Sequence, residues 1–323
     1  MKITLQHLTL AIVAASLLAP GLRAQVDGET VFETLKVSIK KQRTIASVSS
    51  PFGVAKAQVK ADLLRTGSRV PDSYVEELFD GRYQMLYPDV QEKYAERERQ
   101  KFEKAELKQE PAPDSYGRYR KIFITEENFT DGAAFIRTHR ALLDSVQARY
   151  CVDAALLVAL VASETWYGDE VGSYRVFDSL LTIIMLVPGP KWLAWAAHEE
   201  AEFIKMAYDQ KMSASAAHAV IGTYDGGMGY VQFEPSSLNA YAVDFDGDGK
   251  IRLNEWPDAL GSAANYLALK GYDAKAEFSM ESAIGKSLYA YNHSDNYVRG
   301  ILELREELLR RQSKKKAAGI AAK

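Results

Sequence analysis

The stretch LLVALVASETWYG, Leu156 to Gly168, carries seven apolar residues in a row before its one charge, Glu164. Upstream the run extends to Ala154, so that 154–162 contains no polar side chain. A helix of that composition is apolar on every side and belongs inside a protein. Asp153 is a good N-cap for it, and Gly168 stands where it should stop. On such a helix Glu164 shares a face with Val161, Leu160 and Leu157. A carboxyl held against packed hydrocarbon resists ionisation, and an acid that stays protonated near neutral pH suits proton donation to a glycosidic oxygen. The alternative is that Glu164 reaches past the last turn to solvent or pairs with a cation such as Arg175.

Around this run the composition is that of a folded protein. The 323 residues are 47% hydrophobic and 26% charged, which supports one large or two moderate domains. Residues 1–24 read as an export signal, with Lys2, the apolar run Leu8 to Ala19, and Leu22-Arg23-Ala24 before Gln25. That run is short for a bilayer span, and no later segment looks transmembrane, so the expectation is an exported, periplasmic, soluble chain without a membrane anchor once the signal is cleaved. Losing Lys2 and Arg23 takes the formal charge from −3 to −5, which gives no reason to expect nucleic acid. Lys314-Lys315-Lys316 reads as a solvated basic tail over 311–323. Cys151 is the only cysteine, so no intrachain disulfide forms.

The pattern is mainly α. Val31–Lys41 looks helical, and short amphipathic pieces with turn signals such as Ser49-Ser50-Pro51 follow to Gln91. Glu92–Lys108 is nearly all charged, a solvated helix with Tyr94 and Phe102 as anchors, and Glu110–Asp114 breaks it. Apolar residues from Phe135 to Tyr150 recur at three and four, predicting one helix with an inward face. Another helix is expected from about Trp192 to Lys211, and alternating strand patterns are scarce.

Two later segments suit a polymer of sugars. Gly222–Ser237 is rich in glycine, hydroxyls and amides, including Thr223, Tyr230 and Gln232, and Pro235 before serines signals a new helix. Glycines let a ligand approach the backbone, and these side chains offer hydrogen bonds. Ala290–Val298 interleaves aromatic rings and amides around Tyr291 and Asn292, with His293 read as a structural hydrogen-bonder. Between them, Asp244–Glu255 fits an EF-hand loop, with Asp244, Asp246 and Asp248 at positions 1, 3 and 5, Gly249 at position 6, the Lys250 carbonyl at position 7 and Glu255 at position 12. Hard oxygens at that spacing suit Ca2+.

Ser163-Glu164-Thr165-Trp166-Tyr167-Gly168, the Gly229–Ser237 run, Val243–Gly249, Asp258–Ser262 and Tyr291-Asn292 occur in the order expected of the B-type lytic murein transglycosylases, and the chain resembles that family over roughly 123–309. The resemblance implies a lysozyme-like α (α+β) catalytic domain over 123–310, after an N-terminal helical region at 25–122. It implies non-hydrolytic cleavage of the β-1,4 MurNAc-GlcNAc bond of peptidoglycan glycan strands, with Glu164 as acid and then base and a 1,6-anhydro product. Thr223, Gln232, Tyr291 and Asn292 match residues lining the family's cleft. The family's loop is longer and its closing ligand matches Asp258, so a loop over 244–258 stands beside the twelve-residue one. Val231, Glu234 and the pair Pro190-Lys191 depart from the family's pattern.

Other readings stay open. Glu234 or Asp225 across the cleft would make a hydrolytic muramidase, and loss of catalysis would leave a peptidoglycan-binding scaffold with cell-envelope protein partners. His198-Glu199-Glu200-Ala201-Glu202 lacks the second histidine that zinc needs and reads as a solvated helix face. No organic cofactor motif is present.

Overall fold

The computed structural model describes residues 51–81, 86–106 and 115–321. The chain divides into two compact units, Met1–Val54 and Ala55–Lys323. The export signal, the helix at 31–41, the Ser49-Ser50 turn and the break at 110–114 lie outside the described residues, as does the first unit before Pro51.

Fourteen helices and one two-stranded sheet are described. In chain order they are α1 (Pro51–Arg65), α2 (Asp72–Leu78), α3 (Pro88–Glu106), α4 (Ser115–Phe123), α5 (Glu126–Thr138), α6 (Arg140–Tyr150), α7 (Ala154–Thr165) and β1 (Tyr174–Arg175). There follow α8 (Val176–Leu186), α9 (Pro190–Asp209), α10 (Ala214–His218), β2 (Ile221–Gly222), α11 (Pro235–Tyr241), α12 (Trp256–Leu269), α13 (Ala283–Tyr291) and α14 (Asp295–Ala321). Residues 55–122 belong to the same compact unit as 123–310. Among the described residues no single helix is long and apolar enough to cross a membrane.

The oily helix is the axis of the fold. Every residue of α7 from Ala155 to Ala162 is buried, and α14, α5 and α6 pack around it. Each fully buried Leu or Val contributes roughly 1.5–3 kcal/mol, and five of them, Leu156, Leu157, Val158, Leu160 and Val161, outweigh the cost of one part-buried acid at the helix end. Asp153 caps the helix as expected, its Oδ1 accepting the Leu156 N–H at 2.8 Å. The same carboxylate receives the Arg305 guanidinium at 2.9 and 3.1 Å, which ties α14 to the start of α7.

Several elements depart from the sequence reading. The helix expected across 135–150 is two helices that meet at His139, whose ring packs at a tilt against Phe135 and Trp256 with centroids at 4.4 and 5.5 Å. The break lets α5 pack on α7 while α6 packs on α12. The sequence reading contains no helix at α8; its polar residues Asp178, Ser179 and Thr182 are buried along with its apolar ones because α9, α3 and α10 surround it. Helix α3 is anchored by Val90 and Tyr94, both buried, and so is more than a solvated rod. The basic tail is the continuation of α14 to Ala321, since Lys, Arg and Ala all favour helix and no proline intervenes. The sheet is as small as expected, Tyr174 pairing with Gly222 and Arg175 with Ile221.

The His198–Glu202 run is not a solvated face. Glu199, Glu200 and Glu202 are buried because α9 lies between α8 and α11. Glu199 accepts the N–H and the hydroxyl of Ser236 at 2.9 and 2.8 Å, and Glu202 accepts the Asn239 amide at 2.7 Å, so α9 fixes α11. Glu200, wholly enclosed, is pushed well above the carboxylate range by burial and by nearby Asp178. Glu199→Ala strands both Ser236 donors and is expected to cost about 1–3 kcal/mol, read as a Tm lower by roughly 3–10 °C. An unchanged Tm would remove Glu199 from this role.

Candidate active site

Helix α7 ends abruptly, and the ending positions Glu164. Trp166 and Tyr167 both take left-handed backbone conformations, with φ of 49° and 59°, a strain of about 1–3 kcal/mol each for residues with a Cβ. The helix therefore stops at Thr165, three residues before Gly168. Side chains hold the strained turn: the Tyr167 hydroxyl donates to Asn128 Oδ1 at 2.6 Å, and Thr165 Oγ1 donates to the Tyr230 carbonyl at 3.0 Å. Glu164, one residue from the end, faces a cleft of about 500 Å³.

The Glu164 carboxyl sits among phenols. Tyr297, 5% exposed at the start of α14, donates its hydroxyl to Glu164 Oε1 at 2.5 Å. Tyr291 lies beside it, its ring stacked on Tyr297 at 6.4 Å and 12°. Burial pushes the Glu164 pKa from 4.5 up to about 7; the Tyr297 hydrogen bond opposes the shift, and the charge of Asp225 adds to it. Near neutral pH the group holds its proton about half the time, the condition for accepting and returning one. Arg175 plays no part here, pairing instead with Asp178 at 3.1 Å and the His218 carbonyl at 2.6 Å.

The opposite wall is the glycine-rich loop. Thr223 and Gly227 close a turn through Thr223 N–H to the Gly227 carbonyl and Gly227 N–H to Thr223 Oγ1, both at 2.9 Å. Met228 and Phe233 then exchange backbone bonds at 2.9 and 3.1 Å, which folds 229–232 into a tight loop. Gly229 permits this with φ of 68°; a Cβ there would sit 2.5 Å from the Leu253 carbonyl oxygen. Gln232, at φ 51°, is secured by Nε2 donating to the Gly229 carbonyl at 2.8 Å.

Glu164, Thr223, Gln232, Tyr291 and Asn292 line this one cleft, together with Asp225, Glu234, Tyr266 and His293. Tyr230 does not line it. Its ring stacks on Trp256 at 4.0 Å and its carbonyl anchors Thr165, so it braces the end of α7 from behind. The Tyr291 hydroxyl is committed to the Val231 carbonyl at 2.5 Å, leaving its ring to face the cleft. Asp225 accepts from Thr223 Oγ1 at 2.9 Å and lies 4.0 Å from Arg97. Glu234 is pushed up to about 7 by burial and by Glu199 and Asp225, against a hydrogen bond from Trp195.

The acidic loop resolves into two sets. One carboxylate oxygen each from Asp244, Asp246 and Asp258 lie within 4.8 Å of one another. Oxygens that share one calcium at about 2.3–2.6 Å are at most about 5 Å apart, so these donors have the right hardness and spacing. Asp258, 2% exposed in the first turn of α12, also accepts the N–H groups of Phe245 and Arg252 at 2.9 and 2.7 Å, closing the longer loop. Asp248 and Glu255 turn to Arg252 at 2.6 and 3.6 Å, and the Lys250 N–H donates to Asp248 at 2.9 Å.

A profile for the transglycosylase SLT domain matches residues 70–318. The chain belongs to the transglycosylase SLT domain family. The membrane-bound lytic murein transglycosylase B of Escherichia coli K12 is 36% identical over 155 residues, 48% of this chain and 42% of that protein, so the match spans less than half of the relative. Three solved structures share the fold. SltB1 of Pseudomonas aeruginosa has a TM-score of 0.64 at 24% identity, over 80% of this chain and 99% of that one. Escherichia coli SLT35, in complex with calcium, has 0.63 at 22%, over 79% and 92%. SltB3 of Pseudomonas aeruginosa, in complex with NAG-anhNAM-pentapeptide, has 0.62 at 22%, over 80% and 79%.

In this transglycosylase-family chain the residue that sequence reasoning passed over is Tyr297. Its signal was present: Ser294 precedes α14, and a residue three past such a start, next to buried Val298, turns inward. Tyr297→Phe removes the donor that lowers the Glu164 pKa. The descending limb of a pH–rate profile should then move above its place near pH 7 while the plateau rate falls about tenfold. An unmoved limb would separate Tyr297 from Glu164.

Proposed function

We propose that this chain is a peptidoglycan lytic transglycosylase that cuts the β-1,4 MurNAc-GlcNAc bond without water. The observation that carries the reading is the cleft carboxyl of Glu164 at the end of α7, raised to about 7 by burial and held by the Tyr297 hydroxyl. Protonated Glu164 donates to the glycosidic oxygen as the C1–O bond breaks. The resulting carboxylate then takes the proton from the muramoyl 6-hydroxyl, whose oxygen closes on C1 to give the 1,6-anhydro sugar. Glu164 is thereby returned to its protonated form. Asp225 and Glu234 already have partners in Thr223 and Trp195, which favours this route over activation of a water.

Thr223, Gln232, Tyr291 and Asn292 are assigned to sugar contacts, Tyr291 through its ring. Asp244, Asp246 and Asp258, with the Lys250 carbonyl, are assigned to a structural calcium between α11 and α12, far along the chain from the acid and outside the cleft lining. The cleft-bearing part is taken as 123–310, and 1–24 as an export leader that delivers the chain to the peptidoglycan compartment. The test is mass spectrometry of muropeptides released by the purified protein. Products lighter than hydrolysed muropeptides by one water are expected; full-mass reducing sugars would instead identify a muramidase using Glu234 or Asp225.

A further inference from the structure

A second hollow of about 430 Å³ adjoins the cleft and shares Ala290 and His293 with it. Four charged side chains line it: Glu281 before α13, Lys286 on α13, and Asp295 and Arg299 on α14. All four are exposed. Asp295 and Arg299 stand four apart on one helix, the spacing at which acid and base ordinarily pair. Here Arg299 lies over the Tyr116 ring at 5.8 Å instead, and among the described residues no ion pair within 4.0 Å joins any of the four. Where hollow and cleft meet, Tyr289 leaves 42% of its surface exposed and packs edge-on to His293 at 5.2 Å.

Two unpaired cations and two unpaired anions around one hollow restrict what fits it. A simple anion would meet Glu281 and Asp295, and a neutral sugar could hydrogen-bond to the four side chains but would bring no countercharge to any of them. A zwitterion answers both signs. We propose that this hollow is a subsite for the free α-amino-acid end of a diamino acid in the stem peptide of the glycan substrate. Its carboxylate meets Lys286 and Arg299, its ammonium meets Glu281 and Asp295, and its aliphatic stem runs past Tyr289 and His293. The stem hangs from the muramoyl sugar, and a few residues of extended chain at about 3.4 Å each carry it from the cleft into the adjoining hollow. The inference rests on the proposed action on peptidoglycan.

The test is calorimetric binding of three probes to the full chain and to its Lys286→Ala/Arg299→Ala variant: a disaccharide tetrapeptide with a free diamino-acid end, the same compound with that amine acetylated, and the peptide-free disaccharide. The double variant should bind the free-end probe roughly five- to tenfold more weakly and the peptide-free disaccharide within about twofold of the unmutated protein. Acetylation should weaken binding to the unmutated protein several-fold. Equal weakening of all probes, no weakening, or indifference of the unmutated protein to the peptide would overturn the subsite. Product analysis of unmutated protein on whole peptidoglycan runs alongside: absence of anhydro products condemns the activity, while the binding pattern judges the hollow independently.

Discussion

Glu164→Gln should lower the release of anhydro-terminated muropeptides about a thousandfold while the protein remains folded. A positioned acid–base group contributes about a hundred- to ten-thousandfold, and Glu164 would serve in both proton transfers. Glutamine keeps the carbonyl that accepts from Tyr297 and differs chiefly in being unable to move a proton. Stability should change in the opposite direction. Between the ordinary pKa of 4.5 and the folded value of about 7, the native state holds a proton that the unfolded chain has released. The unmutated protein therefore loses stability as pH rises through that window, and the glutamine variant, with nothing to ionise there, does not. After allowance for the partial exposure of Glu164, the difference at pH 8 should be about 1–2 kcal/mol. A variant that is inactive and less stable at pH 8 would point to misfolding instead of lost chemistry.

Calcium should have the second large effect. If Asp244, Asp246 and Asp258 hold the ion, adding it to chelator-treated protein at about a thousand times its Kd stabilises the fold by about 4 kcal/mol. For a unit of this size that is a Tm higher by roughly 10 °C. Asp246 is exposed, and Asp246→Asn should remove most of that gain with little effect on the calcium-free Tm. Asp258→Asn should remove the gain and also lower the calcium-free Tm, because its carboxylate accepts two backbone N–H groups. A Tm indifferent to calcium in the unmutated protein would leave the cluster as a solvated turn.

The central helix was legible because a fully apolar run admits one reading, and its cap because Asp153 sits where a cap must. The five cleft residues were reachable from ordered motifs, since glycine, amide and aromatic residues recur at fixed offsets. What escaped depended on contacts distant in sequence. Tyr297 meets Glu164 across 133 positions, and only the folded chain brings them together. Tyr230 looked like a sugar ligand because hydroxyl and ring are visible in the sequence, whereas its stacking on Trp256 is not. The acids of α9 looked solvated because charge is the stronger local signal; α8 and α11 on either side reverse it. The end of α7 came three residues early because Trp166 and Tyr167 accept a backbone conformation that composition assigns to glycine.

The most direct measurement is to run the reaction in water labelled with heavy oxygen and weigh the new sugar ends. If Glu164 alone moves the proton and the muramoyl 6-hydroxyl is the nucleophile, the released muropeptides carry no label and are one water lighter than hydrolysed ones. Label at C1 of the muramoyl sugar would show that water attacked, and the single-carboxyl account would be wrong.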